Sequence, residues 1–285
     1  MATLSACALT RLLPGGRPAY DHTCVSSDQG QVWPCLGGST GGRLLSAGSG
    51  DVAVADCVSY PRRRGIPPVY AGLAYGVRGV CHQMANRILR TAGIDVSGAY
   101  LYHSWSLRAY GPYGLGSWRE WLHCQRHAGS LSGSSARRGR SSDMSKGGLS
   151  ERLQRLYDDV DAAQVDDAPH DDAPGLRARE FAIMIEEALG PDYDLDKRRA
   201  LIGSEDSFRS RQQTLIDDLG TGRLTAEAYL TQMNRLLVDM AYRYRAILGE
   251  TDYQKLFGGR PEDAAQLIDP AIFLGGTADE AERAE

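Results

Sequence analysis

Val80-Cys81-His82-Gln83-Met84-Ala85-Asn86-Arg87-Ile88-Leu89-Arg90-Thr91-Ala92-Gly93 decides how the chain is read. Met84, Ile88 and Ala92 recur at i, i+4 and i+8, with Ala85 and Leu89 beside them, so the spacing predicts one amphipathic helix. Gly93 is a fitting stop, because glycine readily takes the left-handed conformation that ends helices. Cys81 opens this helix. A thiol there meets the positive end of the helix dipole and backbone N–H groups that lack an intrahelical acceptor, and both favour thiolate over thiol. The same N–H groups can hold the oxyanion of a tetrahedral intermediate.

A nucleophile of this kind needs a base. Residues 99–110 (Ala-Tyr-Leu-Tyr-His-Ser-Trp-Ser-Leu-Arg-Ala-Tyr) are rich in aromatics and predict a strand. One face would carry Leu101, His103, Trp105 and Leu107, the other Tyr102, Ser104, Ser106 and Arg108. Folded back beside the helix start, such a strand brings His103 to Cys81 as the general base. His82 adjoins Cys81 in sequence but projects about 100° away round a helix. His82, Gln83 and Asn86 are therefore the candidates for orienting the imidazole or lining the oxyanion site, with Asp51 and Asp56 also open.

Further along, His123-Cys124-Gln125-Arg126-His127 offers an alternative. His123 and His127 stand at i and i+4 on one helical face with Cys124 beside them. Two imidazoles at that spacing can share a zinc ion, with Cys81 or another cysteine supplying a further ligand. No Cys-x-x-Cys pair and no glutamate between the histidines accompanies them.

Gly79-Val80-Cys81 at a helix head, the exit Ala92-Gly93-Ile94 and a histidine on a strand together resemble the papain-like amidases, in the branch of the NlpC-type cell-wall peptidases or their permuted relatives. The likeness spans residues 76–114. It implies a cysteine-headed helix packed on a small antiparallel sheet, a histidine on a sheet strand, and cleavage or transfer at a peptide or amide bond. The Asp-Cys-Ser start usual in that branch is absent, and the distance from Cys81 to His103 is shorter than the branch shows.

The charge divides the chain. Residues 1–150 carry +9 and the remainder −13, which gives the net −4. All six cysteines lie in the basic part, and only three of the 32 basic residues are lysines. A basic half of this kind fits an acidic partner, and an anionic polymer could be met by Arg62, Arg63, Arg64, Arg137, Arg138 and Arg140. Four units follow: a Cys/His-containing α+β domain over 1–127, a Gly/Ser/Arg-rich linker over 128–148, a helical domain over 149–258 and a tail over 259–285. The first unit is expected to hold loops and short strands through residue 80, including 52–54 and 69–73. Helices are predicted over 149–164 with Ser150 as cap, near 176–189, near 195–219, and over 224–248 with Thr225 as cap and Gly249 as stop. Tyr229, Met233, Leu236, Leu237, Met240 and Tyr244 form the apolar stripe of the last. Residues 219–225, that helix and Tyr253 to Phe257 resemble the stress-related helical hairpins of the Spy and CpxP kind, which implies a partner-binding surface.

With 285 residues, 42% hydrophobic and 24% charged, the chain is neither collagen-like nor wholly disordered. No apolar run approaches the roughly 18 residues of a membrane span. Residues 1–14 have no basic residue ahead of their apolar stretch, so a cytoplasmic location and reduced thiols are expected. The fold class is thus α+β, a helix with a small antiparallel sheet followed by an α-helical part. The function expected is a papain-like thiol hydrolase or acyl transferase acting on a peptide or amide through Cys81 and His103, without a cofactor. The alternative is a zinc- or partner-binding module.

Overall fold

The computed structural model describes residues 2–12, 18–35, 41–59, 61–63, 66–70, 73–99, 105–115, 124, 152, 156 and 175–275. The chain starts with strands β1 (Ala2–Leu12) and β2 (Pro18–Ser27), then β3 (Val32–Trp33) and β4 (Arg43–Gly50), joined in one antiparallel sheet of order β3-β2-β1-β4. These strands are longer than expected. Ala2, Leu4, Ala6 and Ala8 alternate on the buried face of β1, and Thr23 and Val25 continue it on β2. Alanine is a weak strand former, so only the period of two marks the element. The small side chains also let helices lie close on the sheet.

Two helices cover that face. Residues 52–54 begin not a strand but α1 (Val52–Ser59), which Asp51 caps by accepting from the N–H of Ala53 at 2.8 Å. Three short strands, β5 (Pro61–Arg63), β6 (Val69–Tyr70) and β7 (Leu73–Ala74), form a second antiparallel sheet and lead into a tight loop. Helix α2 (Cys81–Leu89) follows, with a 3-10 turn and a stop at Gly93, φ 68°. It packs on β1 and β2 and against α1. All nine of its residues are buried, the polar ones included; its polar side chains therefore need internal partners.

Residues 105–110 overturn an expectation. From Trp105 the chain is helical, entering α3 (Leu107–Tyr110), and the β-propensity of its aromatics is overridden by packing. Trp105 stacks on Phe257 at 5.2 Å between ring centres, and all six side chains are buried. A strand would have turned half of them outward.

The helical part matches its sequence signals closely. Helices α4 (Leu176–Leu189), α5 (Leu195–Gly220), α6 (Ala226–Leu248) and α7 (Glu250–Phe257) follow one another. Thr225 caps α6 by accepting from the N–H of Ala228 at 3.2 Å, and every residue of the expected α6 stripe is buried. Residues 259–275, expected as part of a tail, are folded: a 3-10 turn at Pro261–Gln266 and the short α8 (Pro270–Phe273) bury Ile268 and Phe273. Leu267, Ile268, Ile272 and Phe273 supply enough apolar surface to hold this stretch down. One hydrophobic core runs through both parts, from Leu4 to Phe273.

The six cysteines are not all reduced. Cys57 of α1 is bonded to Cys124, with Cα atoms 5.5 Å apart. The expected linker at 128–148 and most of the expected helix at 149–164 lie outside the described residues. No helix among the described residues is long and apolar enough to cross a membrane.

Candidate active site around Cys81

Strand β3 pairs with β2 only at Val25 and Ser26. Among the described residues no strand pairs with that edge of β2 beyond them, and the head of α2 lies against it. The carbonyl of Asp21 lies 2.9 Å from Nε2 of His82 and 4.0 Å from Sγ of Cys81. This seats the first two residues of α2 on the strand edge, and it brings β2's next residue, His22, to the thiol.

His22 is the imidazole that sequence reasoning missed. It is 3% exposed, and its Nε2 lies 2.9 Å from the carbonyl of Pro34. A carbonyl only accepts, so Nε2 carries the proton and Nδ1 is left for the sulfur. Burial alone would raise the Cys81 thiol. The charge and hydrogen bond of His22, joined by the N–H and hydroxyl of Thr23, outweigh that and hold it below the ordinary thiol range. The other two buried free thiols behave oppositely: burial pushes Cys24 up and Cys35 well up. Cys81 is thus the buried sulfur, among the described residues, that is poised to ionise. It is 5% exposed.

The remaining sequence candidates have other work. Gln83 accepts from the N–H of Val80 at 3.0 Å and donates to the carbonyls of Ser106 at 3.1 Å and Gly111 at 2.8 Å, so it caps α2 and ties α3 to it. Asn86 donates to the carbonyl of Pro112 at 2.9 Å and accepts from the N–H of Val96 at 3.0 Å. Asp56 accepts from Nε1 of Trp33 at 2.9 Å, and Asp51 is the α1 cap. Gln83 and Asn86 therefore hold the scaffold, and His82 is anchored on Asp21. The group that orients the imidazole is the main-chain carbonyl of Pro34, for which residue type leaves no signature in a sequence. His103 lies outside the described residues.

The zinc alternative loses a ligand. The sulfur of Cys124 is taken by Cys57, and a disulfide sulfur is not the thiolate that zinc binds. His123 and His127 lie outside the described residues. Among the described residues no three of His, Cys, Asp or Glu are placed to share a metal ion. Of the arginines considered for an anionic polymer, Arg64, Arg137, Arg138 and Arg140 lie outside the described residues, and only the backbone of Arg62 and Arg63 is described, in β5.

The loop ahead of Cys81 is fixed from the helical side. Gly76 takes φ 69°, and a Cβ there would come within 2.7 Å of both Ile268 and Phe273. Its carbonyl accepts two phenolic hydrogen bonds, from Tyr110 at 2.7 Å and Tyr229 at 3.1 Å. The hydroxyl of Tyr75 accepts from the N–H of Asp269 at 3.0 Å. The helical part thereby sets where α2 begins.

Comparison of the chain with protein-family models, with curated proteins and with solved structures finds no match.

Proposed function

We propose that the protein is a thiol-dependent hydrolase or acyl transferase acting on a peptide or amide bond, with Cys81 as nucleophile and His22 as the proton carrier. The observation that carries this reading is the sulfur of Cys81 at the head of α2, against an imidazole whose far nitrogen is anchored on the Pro34 carbonyl. A thiolate paired with an imidazolium is the resting form of such a nucleophile.

The thiolate attacks the scissile carbonyl, and the first N–H groups of α2 receive the developing oxyanion. His22 Nδ1 delivers its proton to the leaving amine as the C–N bond breaks, leaving a thioester on Cys81. Water or an amine acceptor then gives a proton to His22 and opens the thioester, restoring the thiolate and imidazolium. No cofactor enters this cycle.

The test is the pH dependence of alkylation by iodoacetamide, resolved by cysteine. Cys81 is expected to react with a midpoint below the ordinary thiol range, and His22→Gln to move that midpoint upward. A Cys81 inert at neutral pH in the folded protein, or a midpoint unmoved by His22→Gln, overturns the proposal.

A further inference from the structure

Cys7 and Cys24 face each other directly in the β1–β2 ladder. Directly opposed residues of an antiparallel pair leave the same face of the sheet, with Cα atoms about 4.5–5.5 Å apart. A disulfide spans Cα separations of about 4.4–6.8 Å, so the backbone here needs no rearrangement to be bridged. Cys7 is among the groups that raise the Cys24 thiol, as a neighbouring thiol does, and the Cys24 Sγ also lies 3.7 Å from the Gly41 carbonyl. Cys7 is half-buried and Cys24 is buried, so one thiol can meet a reagent and the other waits behind it.

We infer that Cys7 and Cys24 are a redox modification site, a dithiol that a small-molecule disulfide converts to a second intramolecular disulfide. The Cys7 thiolate attacks one sulfur of the reagent, forming a mixed disulfide and releasing the first thiolate. Cys24 then attacks the Cys7 sulfur, forming the protein S–S bond and releasing the second. The two protein thiols lose two electrons and two protons, and the reagent becomes two thiols that take up both. Burial raises the Cys24 thiol, so the second step quickens as pH rises. This site does not depend on the role given to Cys81.

The test uses the full chain and oxidised glutathione as reagent. After incubation, free thiols are blocked and the protein is cleaved without reduction. Cleavage after Arg11 separates the two cysteines. The expected result is a peptide carrying Cys7 joined to one carrying Cys24, with the combined mass lowered by two hydrogen atoms. Cys24→Ser should instead accumulate the mixed disulfide on Cys7. A mixed disulfide that persists on Cys7 in the wild type, a Cys24 joined to Cys35 or Cys81, or both thiols still alkylated overturns the inference. Should Cys24→Ser fail to fold, the wild-type map decides alone.

Discussion

Among the described residues, two buried clusters of polar groups have opposite characters. Arg108 of α3 and Glu205 of α5 form an ion pair at 2.5 Å, with both side chains almost wholly buried. Arg209 joins Glu205 at 2.7 Å and donates to the carbonyl of Ala109 at 2.6 Å, and Tyr244 adds a hydroxyl to the same carboxylate. The guanidinium of Arg108 lies 3.6 Å over the ring of Phe181. Burial would raise the Glu205 carboxyl, but Arg108 and Arg209, with the Tyr244 hydroxyl, hold it down to about 2. Its charge is therefore fixed at any physiological pH, and it clamps α3 to the helices. Cys81 and His22 are also buried but are a weak acid and a weak base, and the imidazole helps hold the thiol below its ordinary range. A cluster of fixed charges holds structure together; a thiol with an imidazole can do chemistry.

The sharpest way to break this contrast is to remove Arg108. Arg108→Ala should lower stability by about 3–5 kcal/mol, since it leaves a buried carboxylate short of a counter-charge. Denaturant unfolding measures this. The alkylation midpoint of Cys81 in the fraction still folded should not change.

Acid comes next. Because the folded-state pKa of Glu205 lies below its unfolded value, its contribution is present above about pH 4.5 and is lost as pH falls towards about 2. The loss is on the order of 3 kcal/mol. Thermal unfolding followed between those limits should show the drop, and Glu205→Gln should flatten it.

At the other cluster the effects are chemical and smaller in stability. His22→Gln should slow Cys81 alkylation at neutral pH by about tenfold or more, as a one-unit rise in a thiol pKa does. Thr23→Val, which keeps the shape and removes the hydroxyl, should slow it less than His22→Gln does, since the hydroxyl is the smallest of the influences that lower this thiol. If Thr23→Val matched His22→Gln, the hydroxyl and not the imidazole would be holding the thiolate.

How far the sequence could be read depended on the range of each signal. Thr225, Gly249 and the stripe from Tyr229 to Tyr244 act within a few turns of one another, and the helix they predict is present to within two residues. Cys81 as a helix head was legible for the same reason. His22 was not, because its meeting with Cys81 requires β3 to stop short of that part of β2 and the head of α2 to lie there. Neither event is written near either residue. The aromatics of 105–110 misled in the other direction, since their local preference for a strand gave way to Phe257 and the core around it.

The carbonyl of Gly76 offers two lone pairs, and Tyr110 and Tyr229 use both. Burial pushes the two phenols up, so neither gives up the proton it lends. With that oxygen gripped from two directions, the peptide plane cannot swing. Cutting the chain ahead of residue 175 would thus take away one of the two hands that keep the approach to α2 pointed one way.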